Sequence, residues 1–336
     1  MVEKMFVIDM QHHYIPSEVL KLARKTDEYD YTYSIGRFVK AYNLMTDVDG
    51  HLAWMEKSGV DMCILSTSAF AANGFEFCRA CNDGYSEVVR KYPEKFRGMI
   101  HVFALDGKDK NRDEIKRGVE ELGLWGIAVV TSYRNMTIDS PMMDHIYEMA
   151  LHYDMPVFNH PTIRKDIWGG DKYDLFLTAS REYDIAKSFI EIIYGVLSRY
   201  PELKVIMPHL AGGLPALMGR LLAKHQPKEV SIPEEFRGQW IPFHHAKEMG
   251  LVDHFSSLLK NICYDTAGFG GWPPIVRFAF EVLGADHLCF ATDYPYDLNN
   301  PMYVKRYIGD IMAMDFSNDD KKKFFCGNIK QLFNIS

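Results

Sequence analysis

The sequence predicts a single (β/α)8 barrel of the TIM type, and three observations carry that reading. Short apolar runs alternate with amphipathic helical stretches along nearly the whole chain, and there are eight such runs. Most are continuously apolar rather than alternating, as parallel strands covered on both faces are. The clusters of histidine, aspartate and glutamine fall at the C-terminal ends of these runs, the rim on which barrels build their sites. A doubly wound open sheet is the competing architecture, but it usually has fewer strands and no reason to stop at eight.

In chain order the predicted strands cover 5–10, 61–68, 96–105, 125–132, 155–161, 203–210, 261–268 and 287–295. Helical patterns follow at 49–58 (ending at Gly59), 73–92 (ending before Pro93), 108–122 (ending at Gly123), 139–153, 181–199, 213–225, 273–283 and 303–314. Each strand–helix step implies a right-handed crossover to a parallel neighbour. Two insertions break the rhythm, a tyrosine-rich one at 17–48 after strand one and another at 226–258 after helix six. Segments of that length in a compact domain are more often lids or interfaces than accidents. A C-terminal helix over 317–333 closes the chain, and residues 1–336 read as one domain.

The 336 residues are 47% hydrophobic and 25% charged, with a formal net charge of −7, so a nucleic-acid surface or anionic membrane is excluded as main partner. The first residues, MVEKMFVIDM, are charged and too briefly apolar for a signal peptide, and no run is long enough to cross a membrane. The six scattered cysteines, several in apolar runs, read as reduced buried thiols of a cytoplasmic protein. Cys78 and Cys81 form a lone CxxC within a helical stretch, read as structural.

Four strand ends carry chemistry. Strand one runs into Gln11, His12 and His13 (IDMQHHYIP). Strand five ends in Asn159-His160-Pro161, strand six in His209 before LAGGLP, and strand eight in Asp293 within ATDYPY. Imidazole nitrogen and carboxylate oxygen are the usual ligands of Zn²⁺ and similar ions, and an unligated histidine can serve as general acid or base. Strand alternation sends His12 and His13 to opposite faces, so at most one enters the barrel. Each residue alone also has a plain reading, a core histidine or, for Asp293, a turn former. Their coincidence on one rim favours a site. His51, His101, His145, His152, His225, His254 and His287 take no role, and His244 and His245 read as surface or interface residues.

The stretches IDMQHHYIP, FNHPT, MPHLAGGLPALMGR, FATDYPY and GNIKQLF, in that order, resemble the amidohydrolase superfamily. The resemblance is to its branch around aminocarboxymuconate-semialdehyde decarboxylase and γ-resorcylate decarboxylase. It implies one divalent ion, Zn²⁺ or Mn²⁺, with Gln11 at the first ligand position, His13 at the second, His160 at the third and Asp293 at the fourth. It makes His209 a catalytic histidine outside the ligand set, and lets Asp293 also accept a proton. It implies two arginines for a substrate carboxylate: Arg220, eleven residues after His209 and reaching into a neighbouring subunit, and Arg37, fourteen residues before His51. A homodimer follows from that role of Arg220.

Gln11 is the departure, since an amide oxygen is a weaker donor than imidazole and adds no charge. Three good ligands remain without it, a harder ion such as Mn²⁺ would tolerate it, and loss of the metal is the third alternative. The leading expectation is a metal-dependent, non-oxidative decarboxylase of a small aromatic or unsaturated carboxylic acid, with aromatic residues of 17–48 covering the ring. The alternatives are a hydrolase of a lactone or amide at the same site, or a non-catalytic barrel that binds a carboxylated ligand.

Overall fold

Eight parallel strands succeed one another around a ring in the computed structural model of the protein, which describes residues 4–23, 40–67, 73–162, 169, 172–225, 248 and 255–336. They are β1 Ile8–His13, β2 Met62–Ser66, β3 Phe96–Gly98 resuming after Met99 as Ile100–His101, and β4 Ile127–Val130. β5 Val157–His160, β6 Val205–Met207, β7 Ile262–Asp265 and β8 Leu288–Cys289 complete the set. Each pairs in parallel with its successor. The ring closes from β8 back to β1. Met10 N–H donates to the Phe290 carbonyl at 3.0 Å and His13 N–H to the Tyr294 carbonyl at 2.9 Å.

All eight predicted strands are present. The first lies three residues further along than its apolar run, so Gln11, His12 and His13 belong to the strand rather than following it. Pairing on both sides, to β2 and to the segment after β8, extends the ladder beyond the last apolar residue. A short antiparallel hairpin, Ser132–Tyr133 with Met136–Thr137, was not foreseen.

The helices end where the sequence signals stop them. Val48–Ser58 starts at Asp47, whose carboxylate accepts the Gly50 N–H at 3.0 Å, and stops at Gly59 with φ +84°. The predicted 181–199 helix is Ala179–Glu191 continued by one π turn, Ile192–Val196. Of the insertion 17–48, residues 24–39 lie outside the described residues; of 226–258, only 248 and 255–258 are described.

Two apolar cores result. The barrel interior is filled by Ile8, Met10, Met62, Ile64, Phe158 and Ile206, and the last helical segment plugs its lower end with Ile329 and Phe333. A larger core lies between the strands and the surrounding helices.

β1 carries one residue more than its partner. Ile8 and Asp9 sit opposite Met62 and Cys63, but His12 and His13 sit opposite Leu65 and Ser66, so Met10 and Gln11 together face one position of β2. This bulge reverses the strand's alternation. Ile8 and Met10 fill the interior below it, Gln11 and His13 point inward above it, and Asp9 and His12 share the outer face.

The helix Phe75–Lys91 packs so closely on the chain leaving β1 that a Cβ on Gly84 would lie 2.4 Å from both Cβ and Cγ of Pro16. Gly84→Ala is therefore destabilising although alanine is the better helix former. Overpacking costs about 1–3 kcal/mol against about 1 kcal/mol of propensity gained. An unchanged denaturation midpoint would contradict this packing.

Candidate metal and catalytic site

Three of the strand-end residues converge. His13 from β1, His160 from β5 and Asp293 after β8 bring one donor atom each within 4.8 Å of one another, and all three are buried. His13 Nδ1 lies 3.0 Å from the Ser66 carbonyl and His160 Nδ1 2.9 Å from the Pro161 carbonyl. Each ring is therefore engaged through Nδ1 by a backbone carbonyl, and Nε2 is the nitrogen directed at the site. His13 Nε2 is 2.8 Å from Asp293 Oδ1.

Burial would raise the Asp293 pKa. His13, by hydrogen bond and charge, together with His209 and Arg181, instead holds it well below the usual carboxylate range. The His160 imidazole is pushed well down, by burial first and by His13 second. An ionised carboxylate and a neutral imidazole are the forms a divalent ion takes, so these residues fit one.

Gln11 is fully buried at the centre of the group. Its amide nitrogen donates to Asp293 Oδ1 at 2.9 Å and lies 3.5 Å from Nε2 of both His160 and His209. Its Oε1 is buried without a hydrogen-bond partner. Turning the amide over exchanges its ends and presents that oxygen to the site, so Gln11 also fits as an oxygen ligand.

His209 stands beside the group. Residues His209–Gly213 all have positive φ, one left-handed turn that includes three non-glycine residues. Such a conformation costs about 1–2 kcal/mol per L-residue. It is held by the buried Asp265 carboxyl, which accepts the His209 N–H at 2.8 Å, and by contact with the helix Ala179–Glu191. A Cβ on Gly212 would lie 2.2 Å from the Glu182 carbonyl oxygen.

From that helix, Glu182 reaches His209 Nδ1 at 2.9 Å. Burial pushes the His209 imidazole down, and the Glu182 carboxylate more than offsets it, so its pKa stands raised. Glu182 moves the opposite way. Burial would raise it, and His209 with Arg181 hold it below its ordinary value. Arg181 itself places Nη1 3.9 Å from Asp293 Oδ2 and Nε 3.2 Å from Glu182 Oε1.

His12 looks outward, as alternation requires. Its Nδ1 is 2.9 Å from Asp9 Oδ2 and its Nε2 2.7 Å from His51 Nδ1, and its ring stacks on Tyr294 with centroids 4.6 Å apart. Asp9 also accepts the N–H and hydroxyl of Thr292, at 2.9 and 2.5 Å. Cys63 lies near enough to Asp9 and His12 for a second metal group. The donors of Asp9 and His12 are already engaged, however, and burial pushes the Cys63 thiol well up. That cluster is hydrogen-bonded core. It ties β1 to the segment carrying Asp293.

Arg220 is exposed on the helix Met218–His225, and no ion pair joins it to these residues among those described. Arg37 lies outside the described residues, as do His244, His245 and His254. Cys78 and Cys81 are buried in Phe75–Lys91, in keeping with a structural CxxC. His101 is a neutral core residue, its pKa lowered by burial to about 3, with Nε2 accepting the Thr67 N–H at 3.1 Å. Sequence reasoning missed Arg181, Glu182, Asp265 and the Asp9–His12–His51 chain. The available signal for the first two was position, since REYD opens the helix after strand five, on the mouth side.

A family model described as "Amidohydrolase" matches residues 8–335. Among curated proteins, a γ-resorcylate decarboxylase of Polaromonas is 27% identical over 312 residues, covering 86% of this chain and 87% of its own. A 2-amino-3-carboxymuconate-6-semialdehyde decarboxylase of Dictyostelium discoideum is 26% identical over 310 residues, 86% of this chain and 77% of its own. Among solved structures, the 5-carboxyvanillate decarboxylase of Novosphingobium aromaticivorans, complexed with manganese and 4-hydroxy-3-methoxy-5-nitrobenzoic acid, superposes with a TM-score of 0.80. It is 23% identical and covers 98% of this chain and 96% of that one.

The Glu182–His209 pair sets a pH signature. Glu182, lowered in the fold, contributes stability above its unfolded pKa and loses it as pH falls. His209, raised in the fold, contributes below its unfolded pKa and loses it as pH rises. The stability difference between the protein and Glu182→Gln should be greatest between the unfolded values of 4.5 and 6.5 and shrink on both sides. The variant should also deprotonate His209 at lower pH in an imidazole NMR titration.

Proposed function

The chain belongs to the amidohydrolase family, and on that premise we propose that it is a metal-dependent, non-oxidative decarboxylase of small aromatic carboxylic acids. The observation that carries the reading is the convergence of His13, His160 and Asp293 beside a histidine whose Nδ1 is held by Glu182. Relatives named as decarboxylases along most of the chain, and a structural neighbour complexed with manganese and a nitrobenzoic acid, support it.

His13, His160 and Asp293 hold the ion, with Gln11 as a neutral fourth ligand; when bound, the ion supplies a Lewis acid for a substrate oxygen beside the carboxylate. A donor set with one anionic group and one amide suits Mn²⁺ or Zn²⁺, the first accepting oxygen ligands more readily. His209 is the proton donor. Its Nδ1 is committed to Glu182, so Nε2 carries the deliverable proton towards the ring carbon. As the C–CO2⁻ bond breaks, its electron pair stays on that carbon and takes the proton from His209 Nε2, and CO2 leaves. Asp293, held ionised, is no competing acid and remains available to accept a proton. Closing the site to water favours this reaction over hydrolysis.

The same reading carries a homodimer in the cytoplasm. Arg220, exposed and apart from its own site, is free to serve a neighbour's, and all six cysteines are buried and outside any disulfide. The sedimentation mass of the purified protein decides the first point.

With Mn²⁺ or Zn²⁺ supplied, the protein should release CO2 from one or more hydroxybenzoates. His209→Asn should lose at least about 100-fold in kcat, the scale of a general-acid contribution. His160→Ala should retain much less metal by plasma mass spectrometry than its parent. A metal-loaded protein that releases no CO2 from a panel of hydroxylated aromatic acids, yet opens lactones, would be a hydrolase.

A further inference from the structure

We infer that Arg181 is the anchor for the substrate's carboxylate, supplied by the same subunit that holds the metal ligands. The inference rests on the proposed action on carboxylic acids, and names the residue that recognises their charge.

The helix Ala179–Glu191 begins at the barrel mouth, and its first turn delivers two side chains to the site. Glu182 is spent on His209. Arg181 is partly buried, with 19% of its side chain exposed, and among the described residues it is the arginine that forms an ion pair with Asp293. His13 and Gln11 both use Oδ1 of Asp293, whereas Arg181 stands on the Oδ2 side. Its Nη1 is 3.9 Å from that oxygen, an ion-pair separation too long for a hydrogen bond. Asp293 therefore does not consume the Nη1 donors. Glu182 Oε1 fixes the guanidinium through Nε, at 3.2 Å. A fork held by one edge, with Nη1 directed towards a carboxylate it does not reach, is suited to a second planar carboxylate in that space.

The chemistry of bond breaking then dictates how the residue acts. The carboxylate carries its full charge in bound substrate and loses it as neutral CO2 forms. A guanidinium contact is strongest before that loss, so it strengthens binding more than it lowers the barrier. Removing it should raise KM by roughly 10–100-fold and leave kcat within a few-fold, the reverse of the split expected on removing the proton donor.

The test compares a ligand with and without its carboxylate on the metal-loaded protein, using hydroxybenzoates and the matching phenols, such as 2,6-dihydroxybenzoate and resorcinol, in titration calorimetry. Arg181→Met should weaken the acid by about 10–100-fold and leave the phenol unchanged, and Arg181→Lys should recover part of the loss. Metal content and the circular dichroism spectrum of both variants report whether the site and fold persist, and the lysine variant keeps the test open if the methionine one misfolds. Equal weakening of acid and phenol, or no weakening of either, overturns the assignment. So does a parent protein that holds no acid of the panel more tightly than its phenol. CO2 release is read separately. Arg181-dependent selection for the carboxylate with no CO2 evolved leaves this anchor standing and removes the decarboxylase reading.

Discussion

One additional residue in the first strand determines whether this barrel has a site. Without the bulge at Met10–Gln11, the alternation that sends Ile8 and Met10 into the apolar interior would turn Gln11 and His13 outward among the helices. The bulge separates two requirements that a regular strand cannot meet together, apolar residues inside at the bottom and polar side chains inside at the top. Its cost is an interrupted ladder beside the buried Asp9 carboxylate. The same carboxylate holds Thr292 and His12, while His12 stacks on Tyr294. The cluster on the outer face thus fixes the strand that carries Gln11 and His13 to the segment that carries Asp293, without itself entering the site.

Electrostatics inside the mouth follow from who faces whom. Asp293, buried as deeply as its neighbours, stays ionised because His13, His209 and Arg181 surround it. Asp265, also buried, has His209 in its favour and the Asp293 charge against it. Its carboxyl is pushed up to about 7 by desolvation, and its structural task is to accept the His209 and Ala267 N–H groups at 2.8 and 3.1 Å. Two buried aspartates on adjacent strand ends are therefore shifted in opposite directions, because only the partners of Asp293 outweigh desolvation. The left-handed turn at His209–Gly213 is the conformational counterpart, a strained backbone that sets the imidazole against Glu182.

Much of this was legible in the chain. Continuous apolar runs gave eight strands, and the strand ends named Gln11, His13, His160, His209 and Asp293, which the fold brings to one place. Alternation also correctly separated His12 from His13. What it did not disclose was the bulge, although the later pairing of Asp9 with His12, three residues on, is a contact that a regular strand forbids. Arg181 and Glu182 were missed for a different reason. They open a helix whose charged first turn looks solvent-facing in sequence, and only the left-handed turn brings His209 to them. Arg37 and Arg220 came from resemblance rather than from local physics. The structure leaves Arg220 exposed, and Arg37 lies outside the described residues.

Closure of the ring between β1 and β8 has a consequence for how the molecule comes into being. Gln11 and Asp293 are 282 positions apart, yet they share one hydrogen bond at the centre of the site. During synthesis Gln11 emerges from the ribosome almost a full chain length before Asp293. For that interval a nascent chain holds Gln11 and His13 on a strand whose neighbour on one side does not yet exist. The site is assembled last, with the final strand and the helical plug beneath it. Loading with metal therefore marks a finished molecule, and a chain truncated before Asp293 is barred from it however well its first half has folded.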